Sequence, residues 1–183
     1  MGDKIGVTAP AGCVDPKTLK IGLRTLKRMG FDPVLSKHIF AENRYLAGTD
    51  EQRAQDLNGL FRDPEIKGIF CARGGYGANR VLPSLDSSMI RRNPKVFVGS
   101  SDITLLLLFL VQECSLVAFH GPMVAGNFGC YPMSKSKQQF NKILFGNKVG
   151  RLLIAKEARV FKSGIAEGKV IGGCLTLLCR SLG

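Results

Sequence analysis

Residues 95–111 read KVFVGSSDITLLLLFLV, and their reading decides the fold. Val96-Phe97-Val98 is short, apolar and β-branched at two positions, with Pro94 just before it, which predicts a buried strand. Gly99 ends that strand. From Ser101 the residues are helix-compatible and almost wholly apolar through Val111, which predicts a helix buried on all sides. Only a sharp turn fits between the two elements. A serine there, in the frame Gly-x-Ser, is held clear of both with the first helical amides beside its hydroxyl, as in a nucleophile elbow. Gly99-Ser100-Ser101 puts Ser101 third. Ser-Asp before an apolar run is also the pattern of an ordinary N-cap. Ile103 stands where the full elbow motif closes with glycine, so the turn alone does not choose between the two.

Working outward, strands alternate with helices. Lys4–Ala9 predicts a first strand. Asp15-Pro16 gives an N-cap with proline in the first turn, followed by Leu19, Leu23, Leu26 and Met29 at helical spacing and a stop at Gly30. Phe31–Leu35 is a second strand candidate. Thr49-Asp50-Glu51 opens a helix whose Ala54, Leu57, Leu60 and Phe61 share one face, ending near Asp63-Pro64. Ile66–Ala72 predicts a third strand, Arg73–Gly77 a glycine-rich loop and Ala78–Leu82 a short helical piece. After the 95–111 unit, Leu116–Phe119 predicts a fifth strand, ending at His120-Gly121-Pro122, and Lys135–Phe145 another helix.

That alternation predicts an α/β fold, with a Rossmann-like or flavodoxin-like parallel sheet and helices on both faces, because each parallel crossover needs a helix to return. Ligands of such sheets bind outside the carboxyl ends of the strands. The loops leaving those ends are Pro10–Asp15, Arg73–Gly77, Gly99–Asp102 and His120–Pro122. After Arg151 the pattern changes: Arg151–Ala155 is a strand candidate, Lys162–Gly173 is polar and glycine-rich, and Cys174–Leu182 begins a fresh apolar helix. The expected organisation is an N-terminal α/β domain over residues 1–155, a linker over 156–173, and at 174–183 the first helix of a second, missing domain.

The 183 residues suffice for one good-sized domain, which at this length hides about 70% of its surface. The longest apolar run, Leu105–Val111, is far short of the roughly 20 residues of a membrane-spanning helix. Asp3 and Lys4 interrupt what would be the core of a secretory signal. The six cysteines, at 13, 71, 114, 130, 174 and 179, form no CxxC pair and have no histidine partners at metal spacing. The expectation is a cytoplasmic protein with reduced thiols, no metal and no cofactor. The net charge of +12 is uneven, with ten Lys/Arg against two acids in residues 130–183. Those lysines are singly spaced without interleaved aromatics, so a solvated face, or one that meets an acidic surface, is expected ahead of a nucleic-acid interface.

Gly74-Gly75-Tyr76-Gly77 has three readings: a phosphate loop, although no third glycine completes GxGxxG and no GK[ST] follows; a tight turn needing positive φ; or a loop whose glycine amide faces Ser101 and joins the Asp102 amide around an oxyanion. The carboxylate of Asp102 reads as a first-turn acid favoured by the helix dipole. His120, before Gly-Pro at a strand end, reads as a hydrogen-bonded structural residue ahead of a base for Ser101. His38 lies in a polar loop, and Cys71 is mid-strand core.

Together these motifs resemble the LD-carboxypeptidase family of serine peptidases, which includes muramoyl-tetrapeptide carboxypeptidases and microcin C self-immunity peptidases. The resemblance rests on Val7-Thr-Ala-Pro-Ala11, Ala47-Gly-Thr-Asp50 with Arg53-Ala54, Arg73-Gly-Gly-Tyr-Gly-Ala78, Pro94-Lys95, Gly99-Ser-Ser-Asp-Ile-Thr104, His120-Gly-Pro122 and Gly172-Gly-Cys-Leu175, in that order along the chain. It implies that Ser101 is the nucleophile and that the amides of Gly74 and Asp102 form the oxyanion hole. Arg73, Gly75 and Tyr76 are then the loop residues expected to touch substrate. The implied reaction cleaves the bond between an L-centre and a terminal D-residue in cytoplasmic recycling of cell-wall peptides. The implied protein is a homodimer when full length, with no nucleic acid or membrane partner.

Ser100 stands where the family has an aromatic, and Cys174 where it has asparagine. The family takes its glutamate and histidine from beyond the Gly-Gly motif, and no residue here matches them. The resemblance therefore implies a chain with little activity alone. The other class left open is a non-catalytic module binding a small anion at the strand ends through Arg73 and the glycine loop.

Overall fold

The computed structural model describes residues 2–130, 134–146, 159–165 and 167–182. The chain divides into two units, residues 1–132 with 172–183, and residues 133–171. The first carries a five-stranded sheet of β1 (Lys4–Thr8), β2 (Asp32–Leu35), β3 (Ile66–Cys71), β4 (Val96–Gly99) and β5 (Ala118–His120), in the order β2-β1-β3-β4-β5. Every pairing is parallel. This is the flavodoxin-like order, whose crossover direction reverses between β1 and β3 and opens a crevice there at the carboxyl ends.

Helices cover both faces. Strand residues alternate, so Ile69, Cys71 and Phe97 join one core with Leu57, Leu60 and Phe61 of α2 (Asp50–Arg62). Ile90 of the short α4 (Ser87–Arg92) and Leu106 and Leu110 of α5 (Thr104–Gln112) complete it. Phe61 stacks on Phe97 with ring centroids 6.0 Å apart. On the opposite face Phe70 meets Phe31 edge-on at 5.7 Å. There α1 (Pro16–Arg28) packs against α6 (Asn127–Cys130), and a β-carbon on Gly22 would run into the Val124 carbonyl.

The helix starts follow their local chemistry. Asp15 accepts from the amides of Lys17 and Thr18 ahead of Pro16, and Thr49 with Gln52 forms a capping box on α2. A short α3 (Ala78–Val81) runs into a 3-10 turn at Leu82–Ser84. Between β4 and α5 lies a second 3-10 turn, Ser101–Ile103.

Several expectations shift. The fifth strand begins two residues later and ends one residue later than expected, because the chain leaving α5 first turns through Ser115 at φ 56° and returns the Leu116 amide to the Leu110 carbonyl. Helix α5 is not buried all round: Leu105, Leu108, Phe109 and Val111 are half-buried. The short helices α4 and α6 lie where no helix was read. The strand candidate at 151–155 falls outside the described residues. In the second unit α7 spans Ser134–Phe145, and the described residues 159–165 and 167–171 form neither helix nor strand. The last helix, α8 (Leu175–Arg180), belongs to the first unit, where it packs on α5. Among the described residues no helix is long and apolar enough to cross a membrane.

Candidate functional site

The turn after β4 is strained at one residue. Ser101 has φ 59°, left-handed backbone that a serine adopts only where the surroundings impose it. Gly99 permits the turn, since a β-carbon there would lie 2.5 Å from Ile103 Cγ2. Ser101 is exposed, while Asp102 and Ile103 are buried beneath it. The serine hydroxyl therefore projects from a rigid base, ahead of the first amides of the 3-10 turn and α5. Among the described residues no hydrogen bond is made to Ser101 Oγ.

The glycine loop after β3 lies against this turn. A β-carbon built on buried Gly74 would sit 3.0 Å from Ser101 Cβ, 3.2 Å from Ser101 Oγ and 3.4 Å from the Asp102 nitrogen. The space that glycine leaves open is thus bounded by the hydroxyl and the following amide. Gly75 and Gly77, at φ 115° and 118°, supply the positive φ that bends the loop toward the elbow. Asp102 lies in the first turn after β4, as read, and its carboxylate does a second job there. Its Oδ2 accepts from the Ala78 amide at 2.8 Å, so it also caps the helix that follows the glycine loop. Burial pushes this carboxyl above its ordinary value, while the Ala78 amide and the nearby Arg53 act in the opposite sense.

The loop after β1 closes the other side. The Gly12 amide donates to the Gly74 carbonyl at 3.0 Å, and Arg73 Nη1 donates to the Cys13 carbonyl at 2.7 Å. Behind them lies Arg53 on α2, 1% exposed, with Nη1 donating to the carbonyls of Pro10 at 2.7 Å and Gly77 at 2.9 Å. Its Nη2 pairs with Asp50 Oδ1, and Asp50 is held from the solvent side by Arg80, whose Nε lies 2.9 Å from Oδ2. Sequence inspection gave Arg53 only as part of a resembling motif. Its partners are main-chain carbonyls 43 and 24 residues away, which leave no mark in a sequence.

The remaining expected residues fall as follows. Arg73, Gly75 and Tyr76 are exposed beside Gly74, and Tyr76 faces Tyr45 with ring centroids 6.0 Å apart, a neighbour not foreseen. His120 ends β5 in register with Gly99, exposed, and its ring makes no hydrogen bond among the described residues; the hydrogen-bonded role read for it is not found. His38 is not a free loop residue, because Nδ1 and the backbone amide both bond Asp56. It follows β2, three strands from β4 and so about 14 Å across the sheet from the elbow. Cys71 is fully buried, with its thiol pushed up by burial, as expected of core.

A parallel α/β domain with a strained serine at a strand-to-helix turn, and a glycine loop laid against that serine at the sheet's crevice, defines the class of protein. Residues 5–121 match the family model for the LD-carboxypeptidase N-terminal domain, and the chain belongs to the LD-carboxypeptidase family. It is 41% identical to the probable murein peptide carboxypeptidase of Bacillus subtilis, over 100% of this chain and 57% of that protein. It is 37% identical to the murein tetrapeptide carboxypeptidase of Pseudomonas aeruginosa, over 98% of this chain and 60% of that one. Among solved structures, the microcin C7 self-immunity protein MccF superposes with a TM-score of 0.85 at 28% identity, over 100% of this chain and 64% of MccF. That protein has been solved in complex with aspartyl sulfamoyl adenosine, and as an active-site mutant with a serine, an asparagine and a lysine replaced by alanine. The chain spans about three-fifths of the length of the curated relatives it matches.

Proposed function

We propose that this chain is the nucleophile-bearing N-terminal part of a serine carboxypeptidase that cleaves the L,D-peptide bond at the C-terminus of a cell-wall tetrapeptide. The observation that carries the reading is the juxtaposition of an exposed, left-handed Ser101 with the gap that Gly74 leaves beside its hydroxyl and the Asp102 amide. Ser101 Oγ attacks the carbonyl of the L-centre and loses its proton to a base. The carbonyl oxygen takes up negative charge in the gap, where the Gly74 and Asp102 amides donate to it. Each such donor lowers the barrier by about 3 kcal/mol. Collapse expels the terminal D-residue as its amine, protonated by that base, and leaves an acyl ester on Ser101. Water then hydrolyses the ester.

Substrate meets the exposed rim of Arg73, Gly75 and Tyr76, where Arg73 spends one donor on the Cys13 carbonyl. The base is the weak point of this chain. The family's glutamate and histidine have no counterpart in these 183 residues, and loss of a triad member costs several orders of magnitude in rate. The chain by itself therefore hydrolyses little. The base belongs to the part that follows this stretch in a longer relative, so the helix packed on α5 is where the chain would lead into it; the working enzyme is a cytoplasmic homodimer, and its partner is a muropeptide rather than nucleic acid or membrane.

The test joins this chain to the C-terminal part of the Bacillus subtilis relative and measures release of the terminal D-residue from an L,D-tetrapeptide. Release that Ser101→Ala abolishes supports the reading. Binding of small anions with no release would favour the non-catalytic module instead.

A further inference from the structure

Arg53 is the most deeply buried charged side chain of the first unit among the described residues, only 1% exposed. Burying a guanidinium is costly unless its donors are met, and its Nε has no partner here. What the side chain does make is a set of bonds to three separate pieces of chain. Nη1 holds Pro10 of the β1–α1 loop and Gly77 of the glycine loop, and Nη2 holds Asp50 at the start of α2.

Those bonds close a ring. From Ser101 the chain passes to Asp102, whose carboxylate takes the Ala78 amide. Gly77 precedes Ala78 and is held by Arg53, which also holds Pro10. Two residues after Pro10, the Gly12 amide donates to the Gly74 carbonyl, and Gly74 lies against Ser101. Both edges of the gap are thus fixed through one guanidinium. Gly77 has no room for a substitute contact, since a β-carbon there would lie 3.0 Å from Arg53 Nη1. A planar fork is suited to spanning two carbonyls and a carboxylate at fixed angles, and an ammonium is not.

We propose that Arg53 is a positioning residue for the oxyanion gap, holding the Gly74 loop against the Ser101 turn by clamping the Pro10 and Gly77 carbonyls. This rests on the reading of Ser101 and its amides as an anion-stabilising site. It adds that the site's geometry is set from behind, by a residue that never meets substrate.

The test needs no turnover. Ser101→Cys places a thiol at the elbow, and its alkylation rate against pH reports how well the neighbouring amides stabilise an anion there. Exposed Cys130 and Cys179 serve as references in the same molecule, resolved by peptide mapping, while protection of buried Cys71 reports that each variant is folded. In Ser101→Cys alone the introduced thiol is expected to react at least about tenfold faster than the references near pH 6.5. Adding Arg53→Lys, which keeps the charge but not the fork, is expected to remove most of that advantage. In Arg53→Ala, free guanidinium is expected to restore it, which a loss of general stability would not allow.

If the introduced thiol shows no advantage even with Arg53 intact, the anion-site reading fails and this proposal with it. If the advantage is present and Arg53→Lys retains it, charge alone suffices and the clamp is overturned while the site reading stands. Should Cys71 become reactive in both Arg53 variants, Asp50→Asn reads the clamp from its solvent side. A smaller loss of the same sign then supports the proposal, and an unchanged rate overturns it.

Discussion

Gly74 and Ser101, on loops that follow different strands, are so close that a methyl group on the glycine would lie 3.2 Å from the serine oxygen. The glycine is required by what stands in front of it, and this relation can be broken by a single atom. Gly74→Ala is expected to leave the fold intact, because the added carbon points into the gap rather than the core. In the chain joined to the C-terminal part of the Bacillus subtilis relative, kcat should fall by about 10²–10³, the loss typical of one oxyanion donor. Steady-state kinetics beside a denaturant titration of the same variant separates the two effects.

Asp102 and Asp50 should respond to pH with opposite signs. Burial, the largest influence on Asp102, raises its carboxyl, so its favourable contribution is complete below the ordinary aspartate range and is lost as pH rises through the folded-state value. Hydrogen bonding from Arg80 is the largest influence on Asp50 and lowers it, so its contribution is present above the ordinary range and is lost as pH falls through the folded-state value. Denaturant titrations between pH 3 and 7 are expected to show Asp102→Asn gaining on the parent as pH rises. Asp50→Asn should lose most at neutral pH and converge with the parent in acid.

The final helix is tied to the site's own helix through one side chain. Thr104 Oγ1, fully buried three residues after Ser101, accepts from the Cys174 amide at 2.9 Å, and Gly173 packs on the same threonine. Thr104→Val keeps the shape and removes the acceptor, which should cost about 0.5–1.5 kcal/mol, the net worth of one hydrogen bond, because the Cys174 amide is only part-buried. Faster amide exchange at Cys174, with earlier proteolysis in 172–182 and unchanged exchange in β3 and β4, is the expected readout.

Tyr45 and Tyr76, half-exposed at the rim, supply a paired aromatic surface. If Tyr76 meets substrate away from the reacting bond, as proposed, Tyr76→Ala in the joined enzyme is expected to raise KM several-fold with little change in kcat. Titration of the chain with an L,D-tetrapeptide should alter tyrosine fluorescence, a clean signal in a protein without tryptophan.

Legibility followed the range of the interactions. The strand, turn and helix at 95–111 were readable because strand termination, serine placement and apolar run are all local, and strand–helix alternation led directly to the parallel sheet. The later start of β5 was not, because the return of Leu116 onto Leu110 depends on Ser115 adopting left-handed backbone, which its sequence does not require. Helices α4 and α6, of six and four residues, are too short to show a period. The first-turn place of Asp102 was readable, but its bond to the Ala78 amide was not, because that amide lies 24 residues upstream. Arg53 was hidden for the same reason, since main-chain acceptors carry no residue signature.

Acyl-enzyme formation at Ser101 is read out by mass spectrometry of a quenched reaction. The joined enzyme, incubated with an L,D-tetrapeptide and stopped in acid, should carry the mass of the acyl tripeptide on the peptide containing Ser101, and Ser101→Ala should carry none. Release of the D-residue that persists in Ser101→Ala, or an adduct mapped to another residue, would contradict the account.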